Sequence, residues 1–186
     1  MKIIAGVDEV GRGSLIGPVY AAAVILNKSI NKKILKDSKS LSKTKREFLS
    51  KYIKNNAIWA IGQASKKEIE KINILNASLL AMKRAVMQLK KKPTLVLIDG
   101  KKLPRMKDYN LKSIIKGDQK IPSISAASII AKVARDKMIT KLGKKFKGYY
   151  WDQNYGYGTK QHLKAINNLG ITLHHRRTFS PINKIK

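Results

Sequence analysis

KIIAGVDEVGRGSLIGPVYAAAVIL, residues 2–26, decides the fold class. Residues 2–7 are an apolar run that closes on two adjacent acids, Asp8 and Glu9. A glycine-rich turn over 11–17 follows, and residues 19–26 form a second run of Val, Ile and Ala. Short apolar runs bounded by glycine read as buried strands, and the turn folds these two into a hairpin. Outward from there, residues 28–41 are polar and read as a loop. A helix starts near Ser42, with Thr44 and Glu47 at capping-box spacing and Phe48, Leu49, Tyr52 and Ile53 on one face. Residues 58–64 read as a third strand. Residues 67–90 carry Ile72, Leu75, Leu79, Met82, Val86 and Leu89 at helical spacing, up to Pro93. Residues 94–98 are a continuous apolar run, hence a central strand, ending at Asp99-Gly100. A weaker strand over 111–115 ends near Lys116-Gly117-Asp118. Residues 124–142 read as a helix whose small side chains let it lie close to a sheet. Residues 149–158 are an aromatic loop, and 159–169 a helix capped by Thr159 and ended by Gly170. The last sixteen residues are basic and expected to be loosely ordered.

Composition narrows the partner. Against 40 Lys and Arg the 186-residue chain has only 11 Asp and Glu, a net charge of +29. So cationic a surface favours polyanions, nucleic acid first. Lysines number 33 and arginines 7. Lysine attracts phosphate as a point charge and reads base edges poorly, so sequence-specific readout is not indicated. The absence of cysteine excludes disulfides, thiolate nucleophiles and Cys-ligated zinc, and fits a reducing cytoplasm. No signal peptide and no membrane span are expected.

The scarce acids sit at chosen places. Asp8 and Glu9 end the first strand, Asp99 ends the most apolar one, and Asp118 precedes a helix beside glycine. Carboxyl ends of strands border the ligand crevice of α/β folds. Carboxylates converging there bind hard divalent cations such as Mg²⁺ or Mn²⁺, and such ions hydrolyse phosphodiesters. Singly, each acid reads as an ordinary turn or cap; the four together do not. Neighbours on an ideal strand point to opposite faces. Asp8 and Glu9 therefore share a site only if the strand ends or distorts there; otherwise Glu9 contributes its backbone carbonyl or a bound water. Gly11, Gly13 and Gly17 imitate a dinucleotide fingerprint, but the spacing is one residue too long and a strand follows where a helix is required. Close backbone approach to a sugar–phosphate chain suits the segment better. His162, His174 and His175 lack a metal-site partner set and read as surface or structural residues. Tyr149, Tyr150, Trp151 and Tyr155 suit base stacking and packing equally, and Asp136 reads as the partner of a nearby cation.

DEVGRGSLIGP (8–18), DSKSLS (37–42), LVLIDG (95–100), KGD (116–118), SISAASIIAKVARD (123–136) and GYGT (156–159), in this order, resemble ribonuclease HII, the type 2 ribonuclease H. The resemblance implies an RNase H-like α/β fold: a mixed central sheet flanked by helices, with a catalytic domain over 1–148 and a helical appendage over 149–186. It implies an endonuclease, dependent on Mn²⁺ or Mg²⁺, for the RNA strand of RNA–DNA hybrids. It also implies incision 5′ of a single ribonucleotide in duplex DNA, in ribonucleotide excision repair and replication. Asp8, Glu9, Asp99 and Asp118 become the metal-binding catalytic acids. Gly11, Arg12 and Gly13 are expected to sense the ribose 2′-OH and adjacent phosphates, Tyr157 to bond the 2′-OH and stack on the next deoxyribose, and Lys39 to touch phosphate. Type 3 enzymes lack the Arg of the Gly-Arg-Gly motif, which is present here as Arg12. No clamp-binding tail is evident, and a cytoplasmic monomer is expected. The alternatives weighed beside this reading are a non-catalytic basic duplex binder and another RNase H-like nuclease.

Overall fold

The two opening runs are strands β1 (Ile4–Val10) and β2 (Val19–Leu26), paired antiparallel with Asp8 opposite Ala22 and Glu9 opposite Ala21. The computed structural model describes residues 2–35 and 41–185, the Lys33 side chain excepted, so Lys39 lies outside the described residues. β3 (Ala57–Ala64) pairs antiparallel with β2. β4 (Leu95–Asp99) and β5 (Leu111–Ile114) continue the sheet in parallel beyond β1, in the order β3-β2-β1-β4-β5. The sheet is mixed, as the resemblance implies, and the most apolar run lies inside it.

Helix α2 (Lys66–Met87) covers one face, packing Ala77, Ala81, Met82 and Ala85 on Ala5, Val7, Ala21, Val96 and Ile98. On the other face lie α1 (Lys43–Asn56) and, after the one-turn α3 (Gly117–Lys120), the long α4 (Pro122–Lys145). Glycine and alanine make both layers thin. A Cβ on Gly6 would overlap the backbone of α4 at Ser123 and Ile124, and one on Gly62 would overlap the backbone of α2 at Ala81 and Ala85. A third cluster joins Leu15, Ile16 and Ile139 to the one-turn α5 (Trp151–Asn154), α6 (Lys160–Leu169) and Ile182. Among the described residues no helix is long and apolar enough to cross a membrane.

Four expectations are corrected. Ser42, not Thr44, caps α1 by accepting the Lys45 N–H, and the capping box belongs to α2, between Ser65 and Glu68. Phe48 is 70% exposed, because the face that packs is centred on Leu49 and Ile53. α2 is interrupted at Asn73 (φ 65°), whose Oδ1 accepts the Asn76 N–H and restarts the helix as an internal cap. The basic C-terminal stretch is packed rather than loose: His175, Arg176 and Ile182 are buried, and Ile16 bridges His175. Short elements were also not foreseen: a 3-10 turn at Lys32–Leu35 in the polar loop, α3, α5 in the aromatic loop and a 3-10 turn at Ile182–Lys184.

Candidate active site

β1 stays a strand through Val10, so Asp8 and Glu9 leave it on opposite faces. Asp8 shares the Gly6 face and meets α4. It is 6% exposed, and its Oδ1 accepts the Glu9 N–H at 2.7 Å. Burial, then the charge of Glu9, then that of Asp99, push its carboxyl well above the usual range, against a lowering hydrogen bond from Ser128 of α4. Glu9 faces α2 and is also raised, chiefly by burial, although Arg12 Nη1 stands 3.3 Å from its Oε1. Asp99, at the end of β4, raises both acids. The register explains the proximity: Val7 lies opposite Ile98, so Asp8 and Asp99 are the next residues on parallel neighbours.

Asp99 and Glu9 border one cleft of about 320 Å³, with Arg12, Gly100 and Lys101 at its rim and Leu75 and Leu79 of α2 as its wall. Asp99 Oδ1 accepts the Gly117 N–H at 2.6 Å, which fastens the Lys116-Gly117-Asp118 turn to the strand end. Lys116 adopts φ 54°, and Gly117 leaves no room for a side chain, since a Cβ would stand 2.6 Å from Ile124 Cδ1. Asp118 follows, buried. The four acids thus gather at one end of the sheet, with Asp8, Glu9 and Asp99 electrostatically coupled. They are not a closed ligand cage: among the described residues no three His, Asp or Glu side chains surround a single point. Asp99 is drawn to an amide and Glu9 to a guanidinium.

The Gly-Arg-Gly turn and Tyr157 meet beside these acids. Ser14 and Tyr157 form an antiparallel bridge, and a Cβ on Gly13 would lie 4.0 Å from Tyr157 Cε1. Gly156 (φ 80°) packs on Ile16 and the Ser14 hydroxyl, where no side chain fits. The Arg12 side chain is half exposed and Tyr157 half-buried, so both are open to a ligand. Lys132 lies over the Tyr155 and Tyr157 rings, 4.7 and 5.7 Å from their centroids.

A family model described as Ribonuclease HII matches residues 5–181. The chain belongs to the ribonuclease HII family. Ribonuclease HII of Pelagibacter ubique is 76% identical over 185 residues, the whole of both chains. That of Roseobacter denitrificans is 49% identical, over 97% of this chain and 91% of its own. Among solved structures, the ribonuclease H2 from Pyrococcus horikoshii superposes with a TM-score of 0.79 at 26% identity, covering 97% of this chain and 95% of that one. Bst-RNase HIII in complex with Mn²⁺ shares the fold, with a TM-score of 0.77 at 19% identity over 98% of this chain and 68% of its own. The chain is therefore a ribonuclease H endonuclease with the expected RNase H-like architecture.

His162 and His175 hold structure. His162 Nε2 accepts the Trp151 indole N–H at 2.9 Å, so Nδ1 carries the proton and donates to the Tyr157 carbonyl at 2.9 Å. His175 Nδ1 accepts the Thr172 N–H at 2.8 Å, which turns its Nε2 toward His162 Nε2, 3.4 Å away. Burial, then the neighbouring imidazole, pull His175 down to about 4. Trp151 and Tyr149 are buried, which favours packing over base stacking for both, and Asp136 pairs with Lys132 at 2.8 Å. Sequence reasoning assigned nothing to Ser128, Arg135 or Arg176. The available signal was the choice of arginine, rare in this chain, inside quoted motifs and beside the paired histidines.

Proposed function

We propose that this endonuclease cuts the RNA strand of RNA–DNA hybrids and incises duplex DNA 5′ of a single ribonucleotide, leaving 5′-phosphate and 3′-hydroxyl ends. It acts as a cytoplasmic monomer, with Asp8, Asp99 and Asp118 holding Mg²⁺ or Mn²⁺ by their carboxylates and Glu9, on the opposite face of β1, contributing through its backbone carbonyl or a bound water. One observation carries the reading: coupled carboxylates raised by burial and mutual repulsion lie next to a glycine turn that meets an accessible tyrosine. The residues fit divalent ions. Their donors are hard oxygens, and burial together with the neighbouring carboxylates raises Asp8 and Glu9, Glu9 in spite of Arg12, so that a divalent cation would favour their ionised forms. When bound, such ions supply an activated water and neutralise the leaving oxygen in phosphodiester hydrolysis.

The chain's own residues do the rest. Gly11 and Gly13 let the sugar–phosphate chain approach the backbone. Arg12, released from Glu9, is free to meet a phosphate. The Tyr157 ring offers a flat surface for a deoxyribose lacking a 2′-OH, and its hydroxyl reaches the preceding ribose, whose 2′-OH marks RNA. Surface lysines, Lys101 and Lys102 at the cleft among them, add diffuse attraction to the duplex. The decisive assay is incubation of a duplex carrying one ribonucleotide with Mg²⁺, with Mn²⁺ and with EDTA. A single cut 5′ of the ribonucleotide, dependent on metal and ending in a 3′-hydroxyl, is expected. Equal cleavage of an all-DNA duplex would overturn the reading.

A further inference from the structure

Among the described residues two cations are wholly buried, and both are arginine: Arg135 and Arg176, each 0% exposed. Neither forms an ion pair among the described residues. Both guanidinium groups are instead spent on backbone carbonyls. Arg135, on α4, donates Nε to Pro18 O, Nη1 to Tyr155 O and Nη2 to Ile16 O, each at 3.1 Å. Arg176 donates Nε to Gly17 O at 2.9 Å, Nη1 to Arg12 O at 2.9 Å and Nη2 to Gly11 O at 2.8 Å. Five of the six acceptors lie in the 11–18 connection between β1 and β2, which carries Gly11, Arg12 and Gly13, and the sixth lies two residues before Tyr157. Gly11 (φ 92°) permits this, because a Cβ there would overlap the Arg135 side chain.

Direction follows from covalent geometry. In a planar trans peptide the carbonyl and the next residue's N–H point opposite ways. With the carbonyls of Gly11 and Arg12 turned inward to Arg176, the N–H groups of Arg12 and Gly13 are turned outward. They lie beside the half-exposed Arg12 side chain, above two guanidinium groups that form no ion pair among the described residues, and Asp136, whose charge reaches Arg135, is itself paired with Lys132. Successive outward amides over positive charge make a seat for an oxyanion.

We propose that Arg135 and Arg176 are positioning residues. Together they are a two-guanidinium brace that locks the Gly11–Gly13 turn against the Tyr157 segment, aims the Arg12 and Gly13 N–H groups at the sugar–phosphate chain, and thereby sets the preference for ribose over deoxyribose. The proposal rests on the function proposed above and adds what holds the reading groups in register. Lysine cannot replace either residue, because a point ammonium does not reach three diverging carbonyls as a planar fork does. Burial, then Arg135, bring Arg176 down to about 9, which leaves it charged at neutral pH.

The test is affinity, without divalent metal, for three duplexes of one sequence: RNA–DNA hybrid, DNA with one ribonucleotide, and all DNA. Arg135→Lys and Arg176→Lys are compared with wild type after melting curves show each folded. Affinity for all DNA should stay within about twofold, because the exposed lysines that attract the duplex are untouched. Affinity for the ribose-containing duplexes should fall about tenfold, and with Mg²⁺ kcat should fall more than KM rises. Equal losses on all three duplexes, or none, would overturn the brace. If a lysine variant does not fold, Phe179→Leu serves instead, since it removes the ring 4.9 Å from the Arg176 guanidinium carbon. That variant should lose about threefold in ribose preference, and full preference in the folded protein counts against the brace. A wild type without ribose preference removes the function proposed above; a wild type that has it, with lysine variants that keep it, removes only the brace.

Discussion

At Asp99 a single oxygen ties the Gly117 amide to the strand end while its charge bears on Asp8 and Glu9. Asp99→Asn keeps an oxygen able to accept that bond and deletes the charge. Cleavage should vanish while duplex affinity holds or rises, because a negative group beside phosphate is gone. Purified Asp99→Asn protein turning over at the wild-type rate would remove Asp99 from the site. Tyr157 is the second residue to test. Tyr157→Phe loses one hydrogen bond, about 0.5–1.5 kcal/mol. Tyr157→Ala also loses the ring that lies against the Gly13 turn, and should be severe. Both should harm the single-ribonucleotide substrate more than a continuous hybrid. Equal losses that track a lower melting temperature would assign Tyr157 to packing alone.

Among the elements, α4 matters most, because its backbone touches β1 where Gly6 has no side chain. Asp8 lies two residues on, on the same face, against Ser128 of that helix. Gly6→Ala forces the layers apart and should destabilise by about 1–3 kcal/mol, read as a shifted urea midpoint, with a loss of activity as Asp8 moves. An unchanged midpoint would contradict the close packing. The α5–α6 segment responds to pH through its neutral histidine pair. His175 is held at about 4, below its ordinary 6.5, so the unfolded chain binds more protons between those values. Its contribution, at most about 3 kcal/mol, is complete above pH 6.5 and is lost as pH falls toward 4. Asp8 and Glu9, raised by burial, act in the opposite sense, so the measurement is the difference in urea midpoint between wild type and His175→Gln from pH 7.5 to 4.5. A difference that does not change with pH would show that the imidazole is not buried neutral. Glu68, lowered from 4.5 to about 2 by Arg84, begins to lose its contribution only at the acid end of this window, and that loss cancels in the difference between the two proteins.

For the whole molecule the governing quantity is the net charge of +29. Binding to a duplex should weaken with a log–log slope of roughly −0.9 for each phosphate neutralised. If about six are contacted, affinity should drop about 10³-fold between 50 and 200 mM salt. A flat response, measured by anisotropy on a labelled hybrid, would show that the lysines do not face the substrate.

Amino-acid order by itself determined the features with a short-range physical cause. The opening hairpin and the central strand declared themselves because apolar runs bury as strands. The Thr159 cap and the Gly170 stop did so because both act within one helical turn. The scarcity of acids marked the candidate site, since carboxylates in so cationic a chain stand out. Tertiary structure decided what depends on distant partners. Whether Asp8 and Asp99 could meet was set by the parallel register of β1 and β4, across some ninety residues of chain. The break at Asn73 was hidden because apolar spacing continues through it, while Ser42 displaced Thr44 by only two positions. Arg176 read as part of a basic tail because nothing near it in sequence shows that its guanidinium ends on carbonyls 159 to 165 residues away. Burial of a charge is a property of the assembled surface, and only the folded chain brings together the carbonyls that make it affordable.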